Sequence, residues 1–197
     1  MLYDGGGGIE IPIDLIDSLN RKYPHISYVK ASVLRPNKIS ALRKALGSRV
    51  KLFCGDETML MPALASGAVG MATASGIVLP ETCSSICRHY AAGRTAEARR
   101  LYTNYLAPWT VASGITKSEF VRCFKEVLAA KGIIRSPTTR LPLGGLEPSR
   151  HAELLLTAME IGLLPVKSGI DGSDAQPQSR TQGSEQDSQR GSRAAVG

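Results

Sequence analysis

The stretch ISYVKASVLRPNKISALRKALGSRVKLFCG, residues 26–55, contains the pattern that decides the fold. Its first segment, ISYVK, is a short apolar run typical of a strand. The segment NKISALRKAL that follows has helical apolar spacing, and Gly47 is placed to end that helix. VKLFCG then predicts a second strand. A strand, a helix and a strand in this order indicate a βαβ unit, in which the two strands run parallel.

The same alternation continues on both sides of this unit. Towards the amino terminus, MLY predicts a strand fragment, the glycine run a loop, and IPIDLIDSLNRKY a helix with Pro12 near its start. Towards the carboxyl terminus, ETMLMPALASG predicts a helix, AVGMATAS a fourth strand and PETCSSICRHYAAG a fourth helix. Strands that alternate with helices predict a parallel sheet, so the fold class is α/β.

Residues 93–167 predict helices only, in TAEARRLYTNYLAPW, KSEFVRCFKEVLAAKG and EPSRHAELLLTAMEIG. From Ser168 the composition changes to Ser, Gln, Gly, Arg and Asp, which cannot bury enough apolar surface to offset the entropy of ordering. We therefore predict three segments: βα units in residues 1–92, a helical appendage in 93–167, and a disordered tail in 168–197.

Bulk properties favour a soluble protein of the cytoplasm. No window approaches the roughly 18 apolar residues of a membrane span, and MLYDGGGG does not resemble a signal peptide. The net charge of +7 is dispersed, and the densest basic segment includes Glu97 on what reads as a solvated helix face. No nucleic-acid-binding motif accompanies it. We predict neither a nucleic-acid nor a membrane partner.

The cysteines predict no metal site. Cys54, Cys83, Cys87 and Cys123 form no CxxC pair, and a zinc site would need tighter pairs. Free cysteine packs as a small hydrophobe, so buried or helix-face thiols are expected. No metal and no cofactor are predicted.

Lys30 is the unusual residue of the βα region. It ends an apolar strand, and the nearest carboxylate upstream is that of Asp17. Burial of an ammonium costs several kcal/mol unless the group is paired or loses its proton. Two interpretations remain open from the residue alone: a lysine that extends to solvent, or an amine held for chemistry.

Several stretches together resemble one family. Tyr3 ends a strand, Lys30 ends the next, and FCGDETMLMPALASGAVGMATAS and RLPLGGLEPSRHAELLLTAMEIGLL follow in order. Over residues 1–166 the chain resembles the C-terminal half of the dihydrodipicolinate synthase and N-acetylneuraminate lyase family. The resemblance implies a partial (β/α) TIM barrel of about four C-terminal βα units in residues 1–92, followed by a helical extension.

The resemblance also implies a reaction and a set of residues. The family uses class I aldolase chemistry, in which pyruvate or a related 2-oxo acid forms a Schiff base on a lysine. Lys30 matches that lysine and Tyr3 the proton-relaying tyrosine. The turn at 141–143 matches the break before the family's final helix. The implied substrate-binding positions are Gly55, Asp56, Ala72 and Thr73.

The sequence departs from the family in three places. A complete barrel takes about 250 residues, so we expect this chain to need either a second copy or a missing N-terminal half-barrel, and to turn over little alone. Synthases of the family often place an arginine in the loop after the tyrosine, where Asp4 and four glycines stand here. Downstream of Lys30, Arg35 could contact an anion, although a surface role is the simpler interpretation. GGGGIEIP fits no phosphate-binding motif.

Two functions follow. The first is a Schiff-base-dependent lyase or aldolase acting on pyruvate or a related 2-oxo acid. The alternative is a non-catalytic half-barrel fragment that acts as an assembly partner. Trapping of a pyruvate adduct would separate the two.

Overall fold

The computed structural model describes residues 1–5, 8–32, 35–114, 117–140 and 143–165. Within them lies one parallel sheet of four strands in the order β1-β2-β3-β4. The strands are β1 (Leu2–Asp4), β2 (Tyr28–Ala31), β3 (Lys51–Cys54) and β4 (Gly70–Met71). This is the predicted α/β fold with a parallel sheet.

In the described ranges, four helices alternate with the strands, and four more follow. The first group is α1 (Ile13–Lys22), α2 (Pro36–Leu46), α3 (Leu60–Ala65) and α4 (Pro80–Ala91). The second group is α5 (Thr95–Leu101), α6 (Ala107–Ser113), α7 (Lys117–Ala130) and α8 (Pro148–Glu160). None of the helices in the described ranges is both long and apolar enough to pass through a bilayer.

One face of the sheet forms the core. Alternate residues Val29, Ala31, Leu52 and Cys54 are at most 1% exposed, as a period of two requires of a strand that packs on one side. They share one apolar cluster with the buried residues of the helices, among them Ile16, Ile39, Leu42, Leu46 and Leu60. Each fully buried aliphatic side chain contributes roughly 1.5–3 kcal/mol, which fixes the helices on this face.

The opposite face is open to solvent. Tyr3, Lys30, Phe53 and Gly70 occupy one row across the four strands. Tyr3 is 54% exposed and Tyr28, on the same face, 39% exposed. The row containing Lys30 therefore lies outside the core.

The second group of helices has its own apolar contacts. Helices α5 and α6 are joined by a π turn over Tyr102–Leu106. The wider turn precedes Pro108, whose ring does not fit against a regular preceding turn. Trp109 is fully buried and meets Phe124 of α7 edge-on, with ring centroids 5.0 Å apart. Leu154 and Ala158 of α8 are also fully buried.

The elements follow the prediction with local differences. The fourth strand, predicted over AVGMATAS, is limited to Gly70–Met71 because the chain enters a 3₁₀ turn at Ala74–Ile77. A 3₁₀ turn, Glu57–Met59, also precedes α3. Two residues of the predicted 141–143 turn, and the whole predicted tail 168–197, lie outside the described residues. The boundary between 92 and 93 stays a prediction.

Candidate active site

Lys30 and Tyr3 lie side by side on the open face of the sheet. The register of β1 and β2 pairs them directly, and Lys30 Nζ lies 4.4 Å from the centroid of the Tyr3 ring. Strand order and register bring the two residues next to each other, since neighbouring parallel strands are about 4.8 Å apart. Lys30 and Tyr3, which the resemblance singled out, are therefore neighbours in the fold.

Gly55 leaves room for the lysine stem. A Cβ atom at this position would lie 2.9 Å from Lys30 Cε, 2.0 Å from Ser32 Oγ and 3.0 Å from the carbonyl oxygen of Ala31. The backbone N–H of Gly55 donates to that same carbonyl at 2.7 Å, which extends the β2–β3 ladder past Cys54. Because a side chain would displace its neighbours, only glycine allows Lys30 to lie across this position.

Ser32 is a member of the site that sequence reasoning missed. Its hydroxyl donates to the Gly55 carbonyl at 3.2 Å, and its backbone N–H donates to the Asp4 carbonyl at 2.9 Å. It thus connects the ends of β1 and β3. Its spacing from Lys30 could have identified it, because a residue two positions further along a strand lies on the same face of the sheet.

The environment of Lys30 is only partly desolvated. Its side chain is half-buried, and no carboxylate of the described residues forms an ion pair with it. The Tyr3 ring presents its face to the ammonium in a cation–π contact. The desolvation expected of a nucleophilic amine is therefore incomplete in this chain.

Asp56 directs its side chain to a local turn. The carboxylate accepts from the backbone N–H of Thr58 at 2.9 Å and from the Thr58 hydroxyl, and so caps the Glu57–Met59 turn. Such capping satisfies an N–H that has no partner inside the turn. Its role towards a substrate stays a prediction.

Ala72 and Thr73 follow β4, two strands away from Lys30. Ala72 N–H donates to the Cys54 carbonyl at 2.8 Å, so its backbone continues the ladder. Thr73 begins the Ala74–Ile77 turn, and its hydroxyl is buried without a hydrogen-bond partner among the described residues. Two strand spacings are roughly 10 Å, so these residues lie across the face from Lys30 rather than in contact with it.

A second feature missed from the sequence is the link between Glu57 and Ser75. Glu57 Oε1 accepts from the Ser75 hydroxyl at 2.7 Å and from its backbone N–H at 3.0 Å. Ser75 is 1% exposed. The link holds together the loops that follow β3 and β4. No local sequence pattern predicts a contact between residues 18 positions apart.

A cavity of about 340 Å³ lies beside this link. It is lined by the loops after β3 and β4 and by residues of α6 and α7, including Thr110, Ser113 and Phe120. Lys30 and Tyr3 are not among its lining residues. The cavity and the lysine are thus separate features of the same end of the sheet.

Burial disfavours the thiolate form of two cysteines near the site, Cys54 and Cys83. Burial raises the pKa of Cys54 to about 11 and that of Cys83 to about 12. Cys54 Sγ donates to the Asp56 carbonyl at 3.0 Å. Cys54, Cys83 and Cys123 are buried, as predicted. Neither Cys54 nor Cys83 is a nucleophile near neutral pH, because the thiolate is the reactive form.

Three comparisons with known proteins give one answer. The model of the dihydrodipicolinate synthetase family matches residues 1–160. A 4-hydroxy-tetrahydrodipicolinate synthase of Thermus thermophilus is 30% identical over 161 residues, which cover 82% of this chain and 52% of that protein.

Solved structures agree with the sequence match. The 4-hydroxy-tetrahydrodipicolinate synthase of Methylacidiphilum fumariolicum SolV superimposes with a TM-score of 0.74 at 27% identity, covering 82% of this chain and 53% of that one. A prophage protein of the dihydrodipicolinic acid synthase family from E. coli K12, solved in complex with pyruvate, gives 0.72 at 21% identity, covering 83% and 56%. The chain spans about half the length of the relatives it matches.

Proposed function

The chain belongs to the dihydrodipicolinate synthetase family, and on this premise we propose that it carries the Schiff-base lysine of a lyase or aldolase acting on pyruvate or a related 2-oxo acid. The observation that carries the proposal is the pairing of Lys30 with Tyr3 on the open face of the sheet, at 4.4 Å from amine to ring centroid. Lys30 is the proposed nucleophile and Tyr3 the proposed proton relay. The proposed location is the cytoplasm.

The first step is imine formation. The neutral amine of Lys30 attacks the C2 carbonyl carbon of the 2-oxo acid, and a proton moves from nitrogen to oxygen to give a carbinolamine. A second proton delivered to that oxygen releases water and leaves the protonated imine, which carries the positive charge of that proton. Only the neutral amine is a nucleophile, so the attack requires the deprotonated form of Lys30.

Tyr3 is placed to handle the protons of this step. A phenol next to the reacting amine can donate to the carbinolamine oxygen and take the proton back later. The ring face, rather than the hydroxyl, lies over Lys30 Nζ. We therefore propose that the ring turns when a substrate occupies the space beside the amine.

The remaining implied residues are proposed to line the substrate pocket. These are Gly55, Asp56, Ala72 and Thr73. Thr73 supports this role because its buried hydroxyl has no hydrogen-bond partner in the described part of the chain, and such a group costs free energy unless a ligand or water binds it.

The end of the substrate that is remote from the reacting carbonyl has no arginine near Tyr3 to bind it. The loop that follows Tyr3 contains none, and the exposed Arg35 is bound by Glu10. We therefore favour a lyase or dehydratase of a sugar-derived 2-oxo acid over the reaction that forms dihydrodipicolinate.

We further propose that the sheet is half of an eight-stranded barrel. Four parallel strands with helices on one face are the repeating part of such a barrel. The other face exposes Tyr3 and Tyr28, and within the described ranges β1 and β4 each have one strand neighbour. A second copy or an N-terminal half-barrel would cover this face and complete the desolvation of Lys30.

The exposed face also favours the second candidate function. A half-barrel that only assembles with another protein needs the open face but not the amine. The two functions differ in what they require of Lys30, so a test at that residue separates them.

The test is reductive trapping. Incubation of the full chain with pyruvate and sodium borohydride should reduce the imine to a stable secondary amine, which mass spectrometry locates at Lys30. Lys30→Ala should lose the adduct. Lys51→Ala is the matched control, because Lys51 is on the same face and lies 5.9 Å from the Tyr28 ring, yet is at the other end of the sheet. A folded chain that forms no adduct would contradict the Schiff-base function, and only the assembly role would remain.

A further inference from the structure

Asp4 is a buried carboxylate directly after Tyr3. Its side chain is 0% exposed and lies on the helix-covered face. Oδ1 accepts from the backbone N–H of Ile11 at 2.6 Å, and the Asp4 carbonyl accepts from Ser32 N–H at 2.9 Å. Hydrogen bonds from Ile11 and Ser32 thus fix the last residue of β1.

Lys38 of α2 neutralises this carboxylate. Its Nζ lies 3.3 Å from Asp4 Oδ2 and donates to the Ile11 carbonyl at 2.9 Å, with 10% of the side chain exposed. Within the ranges that the structure describes, Oδ2 has no partner in hydrogen-bonding geometry, so the contact with Lys38 is an ion pair. Removal of one member of a buried pair leaves an uncompensated charge.

Glu10 and Arg35 surround the pair at the surface. Glu10 Oε2 lies 3.4 Å from Lys38 Nζ and also binds Arg35. Although partial burial acts to raise it, hydrogen bonds from Arg35 and Lys38 lower the pKa of Glu10. Lys38 therefore contacts the carboxylate of Asp4 at the end of β1, and the Glu10 carboxylate and the Ile11 carbonyl in the segment that follows.

We propose that Lys38 is a positioning residue for the Lys30–Tyr3 pair, a proposal that rests on the proposed function. The Tyr3 ring is 54% exposed, so little packing holds it over the amine. Its position depends on its backbone, which Asp4 anchors one residue later. Lys38 contacts both Asp4 and Ile11, and so keeps the Tyr3 backbone in register with Lys30.

A measurement of ring geometry tests this without activity. An aromatic ring whose face lies over the amine shifts the proton resonances of the Lys30 ε-methylene upfield. In the full chain we expect this shift in wild type, its loss in Lys38→Met, and its return in Lys38→Arg. Lys44→Met, at an exposed lysine of the same helix, should keep it.

Reductive trapping gives the second readout. Lys38→Met should slow adduct formation at Lys30 at least tenfold while circular dichroism shows a folded chain. If Lys38→Met does not fold, Asp4→Asn combined with Lys38→Met removes both charges, and the same loss of the upfield shift is expected.

The outcomes are distinguishable. A folded Lys38→Met variant that keeps the upfield shift overturns the positioning role, whatever its reactivity. A wild-type chain that forms no adduct overturns the proposed function, while the resonance of Lys30 still decides the role of Lys38.

Discussion

At the scale of single residues, the site depends on the space above Gly55. Lys30 Nζ lies over the Tyr3 ring, while Lys30 Cε would be 2.9 Å from a Cβ atom at position 55. The same position carries the carbonyl that accepts from Ser32. One glycine thus sets both the path of the lysine and the link between neighbouring strand ends.

Gly55→Ala should displace the lysine. The new methyl would lie 2.0 Å from Ser32 Oγ and 3.0 Å from a backbone oxygen, and overpacking of this kind typically costs about 1–3 kcal/mol. We expect a lower melting temperature and at least tenfold slower trapping at Lys30.

Gly76→Ala is the control, since a methyl there meets nothing within 4 Å. Equal trapping rates in the two variants would show that the space above Gly55 is not needed.

At the scale of elements, polar contacts fix α1 against the turn before β3. Asp17 accepts from Arg21 at 2.8 Å and from Arg49. Arg49 also donates to Asn20 Oδ1 at 2.8 Å. Asn20, 5% exposed, donates in turn to the Ile26 carbonyl at 3.0 Å. The network connects the helix after β1 with the strands on either side of α2.

Asp17→Asn should lower the melting temperature by about 1–3 °C at pH 7, the scale of exposed ion pairs. Hydrogen bonds from Arg21 and Arg49 hold the pKa of Asp17 below its ordinary value of 3.8. Because the folded pKa is the lower one, the stabilisation is present above pH 3.8 and is lost as pH falls through the folded pKa.

The gap between wild type and Asp17→Asn should therefore close in acid, as thermal melts from about pH 7 to about pH 2 would show. Asp14→Asn, on the same helix and without an arginine partner in the described ranges, is the control. A constant gap across pH would contradict the assignment.

At the scale of the whole molecule, the sheet is packed on one face and open on the other. Parallel sheets are normally covered on both faces, because their strands present apolar side chains to each side. Here the open face carries Tyr3, Tyr28 and Phe53. An exposed apolar surface of this kind marks an interaction site.

We expect the full chain to self-associate through this face. Tyr28→Thr should raise the dissociation constant of the assembly about tenfold, since loss of one apolar contact of about 1.4 kcal/mol has that effect. Sedimentation velocity over a range of concentrations measures it.

Tyr23→Thr is the matched control for this experiment. Tyr23 is 40% exposed and Tyr28 39%, but Tyr23 follows α1 and lies outside the sheet. A chain that stays monomeric, or an equal effect of both substitutions, would contradict an association through the sheet face.

The sequence by itself predicted the order of strands and helices, because that order follows from local periodicity. The resemblance to the family singled out Lys30 and Tyr3, and consecutive βα units place their strands side by side. The tertiary structure alone decided the contacts of Ser32, the Asp4–Lys38 pair, the Glu57–Ser75 link and the face that the Tyr3 ring turns to the amine. Each joins side chains from different elements, so it depends on how the elements pack and which rotamers that packing leaves free, and neither is encoded in a local pattern.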